Sequence, residues 1–310
     1  MIRKDQLPDI WGDEWKCTAP RKEMILSGSD GKAMEMVLVD EADYNLFRIG
    51  SCKECHAETG DTDNFEITLR EGASLSLYRL QFNAHERNTL LSIHMEQGSR
   101  LTLHTITLGG EHVRNNIAIR MMGEGCELDA YGLYLMDREQ QCDNYIFVEH
   151  AKPHCTSRTL YKGIIDDAAR ARFNGHVLVQ DGAVKTEAYQ TNRNILLTDK
   201  AHVDTRPFLE IYNDDVKCSH GSTIGQLDEQ ALFYLMTRGI SERTAVTMLS
   251  YAFCDEVVRS IAIPTLRDTV GDMVKKRLHG ELTSCADCAI ACANPCNGPD
   301  AHFDIDPSRL

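Results

Sequence analysis

Three glycines, Gly72, Gly98 and Gly125, stand 26 and 27 residues apart, and each opens a run in which apolar and polar residues alternate. The runs are "EGASLSLYRLQF" from Glu71, "QGSRLTLHTITLGG" from Gln97 and "EGCELDAYGLYLMD" from Glu124. Two looser echoes follow: "QDGAVKTEAYQTNRNILLTD", with Gly182 in its turn, and "DKAHVDTRPFLEIYND", with Lys200 in its turn. Alternation at period 2 marks a strand buried on one face. A unit this short closes no core alone, so a repeat at this spacing points to stacking, each unit covering its neighbour. The pattern predicts a mainly β fold, a β-solenoid, over residues 71–225. An antiparallel sandwich also has short strands and regular turns, but nothing in it requires a near-constant period. Upstream, "MEMVLVD" and "YNLFRIG" read as two further strands.

Alternation stops near Ile224. "LDEQALFYLMTRG" has a helical spacing, with Asp228 as N-cap and Gly239 as its stop. "SERTAVTMLSYAFCDEVVRSIAI" follows from the cap Ser241, with Ala245, Met248, Leu249, Ala252 and Phe253 expected on the core face. Pro264 breaks that run, and "LRDTVGDMVKKRLHGEL" reads as a third helix. The expected division is therefore 1–70 for an N-terminal segment with the first strands and 71–225 for the solenoid. Residues 226–282 would form a small helical domain and 283–310 a cysteine-rich tail.

A formal net charge of −14 argues against general nucleic-acid binding, which needs a basic surface. No apolar run approaches the roughly 20 residues that span a bilayer. The opening "MIRKDQLPDIWGDEWKC" has no apolar segment of the signal-peptide kind, so a cytoplasmic location is expected. In that compartment twelve cysteines read as reduced thiols or metal ligands rather than disulfides.

In "VKCSHGSTIG", Cys218 and His220 stand two apart, so on a strand they project from the same face. Thiolate and imidazole both ligate iron, and clusters accept histidine in place of cysteine. Two ligands are too few for a cluster, so a dimer partner would supply the rest. Taken alone, such a pair is better read as a buried thiol beside a hydrogen-bonded imidazole. "CADCAIACANPC" holds Cys285, Cys288, Cys292 and Cys296. Continued as helix these thiols form one stripe, which wraps an ion only if Pro295 breaks the helix. A metal or cluster site is expected there, with a reactive thiol tail as the alternative. "CKECH" (Cys52, Cys55, His56) reads as a solvent loop with incidental thiols, and "EHAKPHC" (His150, His154, Cys155) as a turn between rungs. No G-x-x-x-x-G-K-[ST] loop occurs, so no ATP site is expected in this chain.

From about Asn144 to Ile261 the chain resembles the SufB/SufD family of iron–sulfur cluster assembly proteins. The resemblance lies in "DNYIFVEHAKPHCTSRTLYKGIIDDAARARFNG" and "TEAYQTNRNILLTDKAHVDTRPFLEIYNDDVKCSHGSTIGQLDEQALFYLMTRGIS" and in the helix after them. "IYNDDVKCSHG" is closer to SufD wording than to SufB. The resemblance implies a right-handed parallel β-helix with a C-terminal helical domain. It also implies a SufC-like ABC ATPase docked on those helices, with Leu232, Phe233, Leu235 and Met236 as candidate docking residues. A second SufB/SufD-type subunit, either the same chain or a paralogue, would pair with the β-helix. A transient iron–sulfur cluster or iron would be held at that interface, served by sulfur-donor and cluster-acceptor proteins. His220 falls on a position associated with assembly, and Cys218 joins it only by sharing its strand face. SufB members carry Glu after that histidine where this chain has Gly221, and a sulfur-receiving cysteine where it has Asn192. Family members usually carry a longer N-terminal segment, so functions of that segment are not expected here.

The implied function is a non-catalytic scaffold subunit. Two alternatives stand beside it: a β-helix enzyme acting on polysaccharide, and a purely structural SufD-like pairing subunit without metal of its own.

Overall fold

The computed structural model describes residues 22–26, 34–41, 44–49, 64–81 and 86–279, with side chains from Phe65 onward. Cys52, Cys55 and His56 and the tail cysteines Cys285, Cys288, Cys292 and Cys296 lie outside the described residues. In chain order the strands are β1 (Lys22–Leu26), β2 (Met34–Glu41), β3 (Tyr44–Ile49), β4 (Asn64–Leu69) and β5 (Ser74–Gln81). Then come β6 (Arg87–Met95), β7 (Arg100–Thr107), β8 (His112–Met121), β9 (Glu127–Met136) and β10 (Gln141–His150). The last are β11 (Thr156–Ile165), β12 (Arg170–Val179), β13 (Thr186–Leu196), β14 (His202–Ile211) and β15 (Val216–Gly225). Helices α1 (Glu229–Thr237), α2 (Glu242–Arg259) and α3 (Pro264–His279) close the described chain.

The strands form two sheets, one in the order β1-β4-β6-β8-β10-β12-β14 and the other β15-β13-β11-β9-β7-β5-β2-β3. Neighbours are parallel apart from the antiparallel β2–β3 pair. From β4 on, successive strands alternate between sheets, so each coil lays one strand in each and the chain is a parallel β-solenoid. The two strands read upstream coincide with β2 and β3. The "DKAHVDTRPFLEIYND" echo is β14, in the sheet opposite to the other four repeats.

Register turns each inward position of the second sheet into a column along the axis. Leu75, Leu101, Leu128, Ser157, Ala188 and Cys218 form one; Leu77, Leu103, Ala130, Thr159, Gln190 and His220 the next. A third runs Arg79, Thr105, Gly132, Tyr161, Asn192, Ser222, and a fourth Gln81, Thr107, Tyr134, Gly163, Asn194, Ile224. The interior is thus apolar on one side and polar on the other. Glycine appears where a neighbouring coil sends in a ring: a Cβ on Gly132 would lie 2.1 Å from Tyr161 Cδ1. Gly132→Val should therefore cost about 2–3 kcal/mol by overpacking, read as a lower urea midpoint at unchanged slope.

One corner of every coil is a left-handed residue. Gly72, Gly98 and Gly125 have φ of +68°, +64° and +70°, and His154 and Lys185 continue the row at +59° and +58°. Each N–H donates to the carbonyl just before its counterpart in the next coil: Gly72 to Gln97, Gly98 to Glu124, Gly125 to Pro153 and His154 to Val184. Gly182 also has positive φ, at +80°, but stands outside the row.

The outer face of the second sheet carries α2 and α3, which bury Cys254, Val257, Val258, Leu266, Val270 and Met273 against Leu80, Ile106, Leu133 and Ile164. The expected core face of α2 is rotated. Ala245, Ser250, Cys254, Val257 and Val258 are buried, whereas Met248 and Ala252 are exposed. Pro264, expected as a break, is the first residue of α3, where a missing N–H costs nothing. Polar anchors also hold the layer. Arg277 pairs with Asp137, Lys162 donates to Phe253 O at 2.9 Å, and His104 Nε2 meets Ser260 Oγ at 2.8 Å.

His104 lies between Tyr78 and Tyr131, each ring centroid 4.9 Å away, and burial lowers its pKa to about 4 from 6.5. Below pH 6.5 the unfolded chain takes up a proton that folded His104 refuses. The contribution of His104 is therefore complete above 6.5 and is lost as pH falls towards 4, by roughly 3 kcal/mol. Urea titrations across that range should show the loss, and His104→Gln should remove its share while leaving that of buried His150, whose pKa is also lowered to about 4.

Candidate functional site at the open end of the solenoid

The last coil, β14 and β15, supplies the edge strand of each sheet. Cys218 stacks on Ala188, His220 on Gln190, Ser222 on Asn192 and Ile224 on Asn194. Both sequence-predicted residues thus point inward, at the end of the interior, with no further coil beyond them among the described residues. Cys218 is half-buried against the core, and His220 is exposed. Burial pushes the Cys218 thiol up, opposed by a hydrogen bond with the Ala188 backbone. It is therefore a neutral thiol at pH 7, to be deprotonated by whatever metal it meets.

Ala188 and Gln190 form the floor beneath the pair, and a polar network fills the neighbouring half of the interior, beneath Ser222 and Ile224. Asn192 donates to Tyr134 Oη at 3.1 Å and to Tyr161 O at 3.3 Å; Asn194 donates to Asn192 Oδ1 at 2.7 Å. Gln190 reaches Gly175 O across the interior at 3.3 Å. Asn192, the position matched to a SufB cysteine, is thus a fully buried member of this network. Thr205 Oγ1 and Ser222 Oγ meet at 2.7 Å and tie β14 to β15 across the opening. Gly221 belongs to the outer face of the second sheet, opposite Thr191, with open space where its Cβ would stand. A glutamate there would point away from His220, not beside it.

The surroundings suit association more than small-molecule enclosure. Ile211, Tyr212 and Ile224 are exposed around the open end, and Phe208 is 53% exposed on the outer edge. Edge strand β14 contains Pro207, whereas β15 has no proline and offers its outward N–H and C=O groups to another strand. Immediately beyond, α1 is capped by Asp228, which accepts from the Gln230 and Ala231 N–H groups. Helix α1 buries none of its residues: Phe233 is 68% exposed, Met236 and Tyr234 are exposed, and Leu232 and Leu235 are half-buried. Its apolar stripe is therefore not core.

The two histidines of the 149–155 segment are structural. His150 is buried, with Nε2 2.8 Å from Ser157 Oγ, and His154 holds the left-handed turn position. Among the described residues no group of three or more His, Cys, Asp or Glu is placed to hold a metal, and no helix is long and apolar enough to cross a membrane. Sequence reasoning missed the Tyr134–Asn192–Asn194 network. Aligning the repeats in register, rather than by their glycines, brings these residues together.

Comparison with known proteins places this geometry. Residues 28–253 match the family model described as SUF system FeS cluster assembly, SufBD core domain. The chain is 41% identical over 221 residues to the iron–sulfur cluster assembly protein SufD of Escherichia coli (strain K12), covering 70% of this chain and 52% of that protein. It is 35% identical over 216 residues to an iron–sulfur cluster assembly SufBD family protein of Mycobacterium leprae (strain TN), covering 66% and 55%. A SufBD family protein of Synechocystis is 33% identical over 225 residues, 72% of this chain and 47% of that one. The chain spans about half the length of the curated relatives it matches. With a two-sheet parallel solenoid and a family match across most of its length, the chain belongs to the SufBD core family of SUF-system iron–sulfur cluster assembly proteins.

Proposed function

We propose that this chain is a non-catalytic, SufD-like scaffold subunit of a cytoplasmic SUF-type complex. The observation that carries the reading is the uncovered last coil, which presents Cys218 and His220 side by side on its inward face. Iron and sulfide are the cargo, and a thiolate with an imidazole is half a ligand set for them. The remaining ligands come from a second SufB/SufD-type subunit that adds a strand to the free edge of β15. A SufC-like ATPase docks on the exposed face of α1 through Phe233 and Met236, flanked by Leu232 and Leu235, and ATP binding there shifts the two solenoids relative to one another. The Cys285–Cys296 cysteines are a further place for iron, independent of the open end.

The test is co-expression with a SufC-like ATPase and a SufB-type paralogue, followed by mass measurement and anaerobic reconstitution with ferrous iron and a sulfur donor. A stable complex whose cluster absorbance depends on this chain is expected. Failure of both subunits to co-purify, or equal cluster yield without the chain, overturns the reading.

A further inference from the structure

Cys126 and Cys155 take no part in the open-end site, yet among the described residues they are the two cysteines that the solenoid stacks directly. They follow Gly125 and His154 in the turn row, and the residues after them, Glu127 and Thr156, are register partners. Their column reads Ala73, Ser99, Cys126, Cys155, Thr186. The Thr156 N–H donates to Cys126 O at 2.9 Å, which locks the two coils at this level. Both thiols are free and buried.

Cys126 Sγ lies 3.1 Å from Glu96 O, and the two thiols share one acceptor, with Cys126 Sγ 3.2 Å and Cys155 Sγ 3.3 Å from Gly123 O. That carbonyl cannot drift, because Gly123 is packed so closely that a Cβ would lie 1.9 Å from Gln97 N. The turn above the pair is at the surface, with Met122, Glu124 and His154 exposed. The neighbouring Cys155 thiol holds Cys126 down at about 7, and the same neighbour together with burial raises Cys155. Cys142 and Cys254 differ: burial pushes each up to about 12. Parallel neighbours stand about 4.8 Å apart, within the Cα span that a disulfide bridges.

We propose that Cys126 and Cys155 are a reversible oxidation site that forms a disulfide between adjacent coils, with hydroperoxides as the oxidant class. The Cys126 thiolate attacks the terminal O–H oxygen of the hydroperoxide, the O–O bond breaks, and the products are a sulfenic acid on Cys126 and an alkoxide, or hydroxide from hydrogen peroxide, which takes a proton from solvent and leaves as alcohol or water. The Cys155 sulfur then attacks Cys126 Sγ; the S–S bond forms, the S–O bond breaks, and hydroxide departs with the Cys155 proton as water. Two thiols have lost two electrons and one peroxide has gained them. A dithiol reductant reverses the step by exchange. The bond closes a loop of one whole coil and joins neighbouring turns of the stack covalently.

The test exposes the full chain to a small excess of hydrogen peroxide, then alkylates it in denaturant without reductant and maps the peptides by mass spectrometry. A Cys126–Cys155 linked peptide is expected as the main product, with loss of two titratable thiols, a higher melting midpoint, and full reversal by dithiothreitol. In Cys155→Ser, Cys126 should accumulate as a sulfenic acid trapped by dimedone. Serine already occupies this column at Ser99, so the substitution suits the fold. The proposal fails if both cysteines stay alkylatable while others oxidise, or if either links to a different cysteine.

Discussion

His220→Ala is expected to abolish cluster formation in the reconstituted complex while leaving the chain folded. The imidazole is exposed on the last coil, so its removal opens no cavity and should change stability by no more than about 0.5 kcal/mol. Iron retention should nevertheless fall by at least about tenfold, a loss that even an outer-shell change inflicts on a metal site. Cys218→Ser separates the two ligands: the thiol packs on the core, so this variant should lose iron and also a little stability. The measurement is cluster absorbance per complex beside a urea melt of the free chain. Wild-type cluster yield from His220→Ala would remove that residue from the site and leave a purely structural pairing subunit as the better reading.

Arg277→Met is expected to give the largest structural loss, about 3–5 kcal/mol. Arg277 Nη1 and Nη2 donate to the two carboxylate oxygens of Asp137 at 2.6 and 2.7 Å, and Nη2 also donates to Gln140 Oε1 at 2.7 Å. The guanidinium is nearly inaccessible, and Asp137 is largely covered. Removing the cation strands a carboxylate beneath α3, which costs more than the pair itself contributes. The damage should be local, because α2 and α3 rest on the outer face of the second sheet and not inside the coils. Hydrogen exchange over 264–279 should accelerate while β8–β12 stay protected. On the proposed assembly, capture of an ATPase subunit on α1, which packs on α2 and through it on α3, should weaken while pairing through β15 persists. Unchanged protection of α3 would mean that the apolar contacts alone hold the helical layer.

How much of this was legible depends on how local each feature is. The glycines at 72, 98 and 125 announced the turn row because a left-handed backbone is cheapest for glycine. His154 and Lys185 occupy the same row with ordinary side chains, so there the composition concealed the period. Apart from β14, the strands of the first sheet also escaped notice. On β10 both faces are buried, with Tyr145 and Phe147 outside and Cys142, Ile146 and Val148 inside, so alternation disappears. The face of α2 was misread because Met248 scores as apolar wherever it lies; the docking direction of the helix, set by Cys254 and Val257, leaves it in solvent.

The chain alone determined that Cys218 and His220 share a face, since two residues of strand always return a side chain to the same side. It also determined the stacked architecture, through a period no isolated unit can satisfy. That the coil carrying this face closes the solenoid was already legible in the end of the alternation near Ile224. Tertiary structure decided that this face is the inner one and that Cys126 lies against Cys155. Those outcomes rest on register between coils, and the variable turns between strands set register; their lengths show in the sequence, but the partners they select do not.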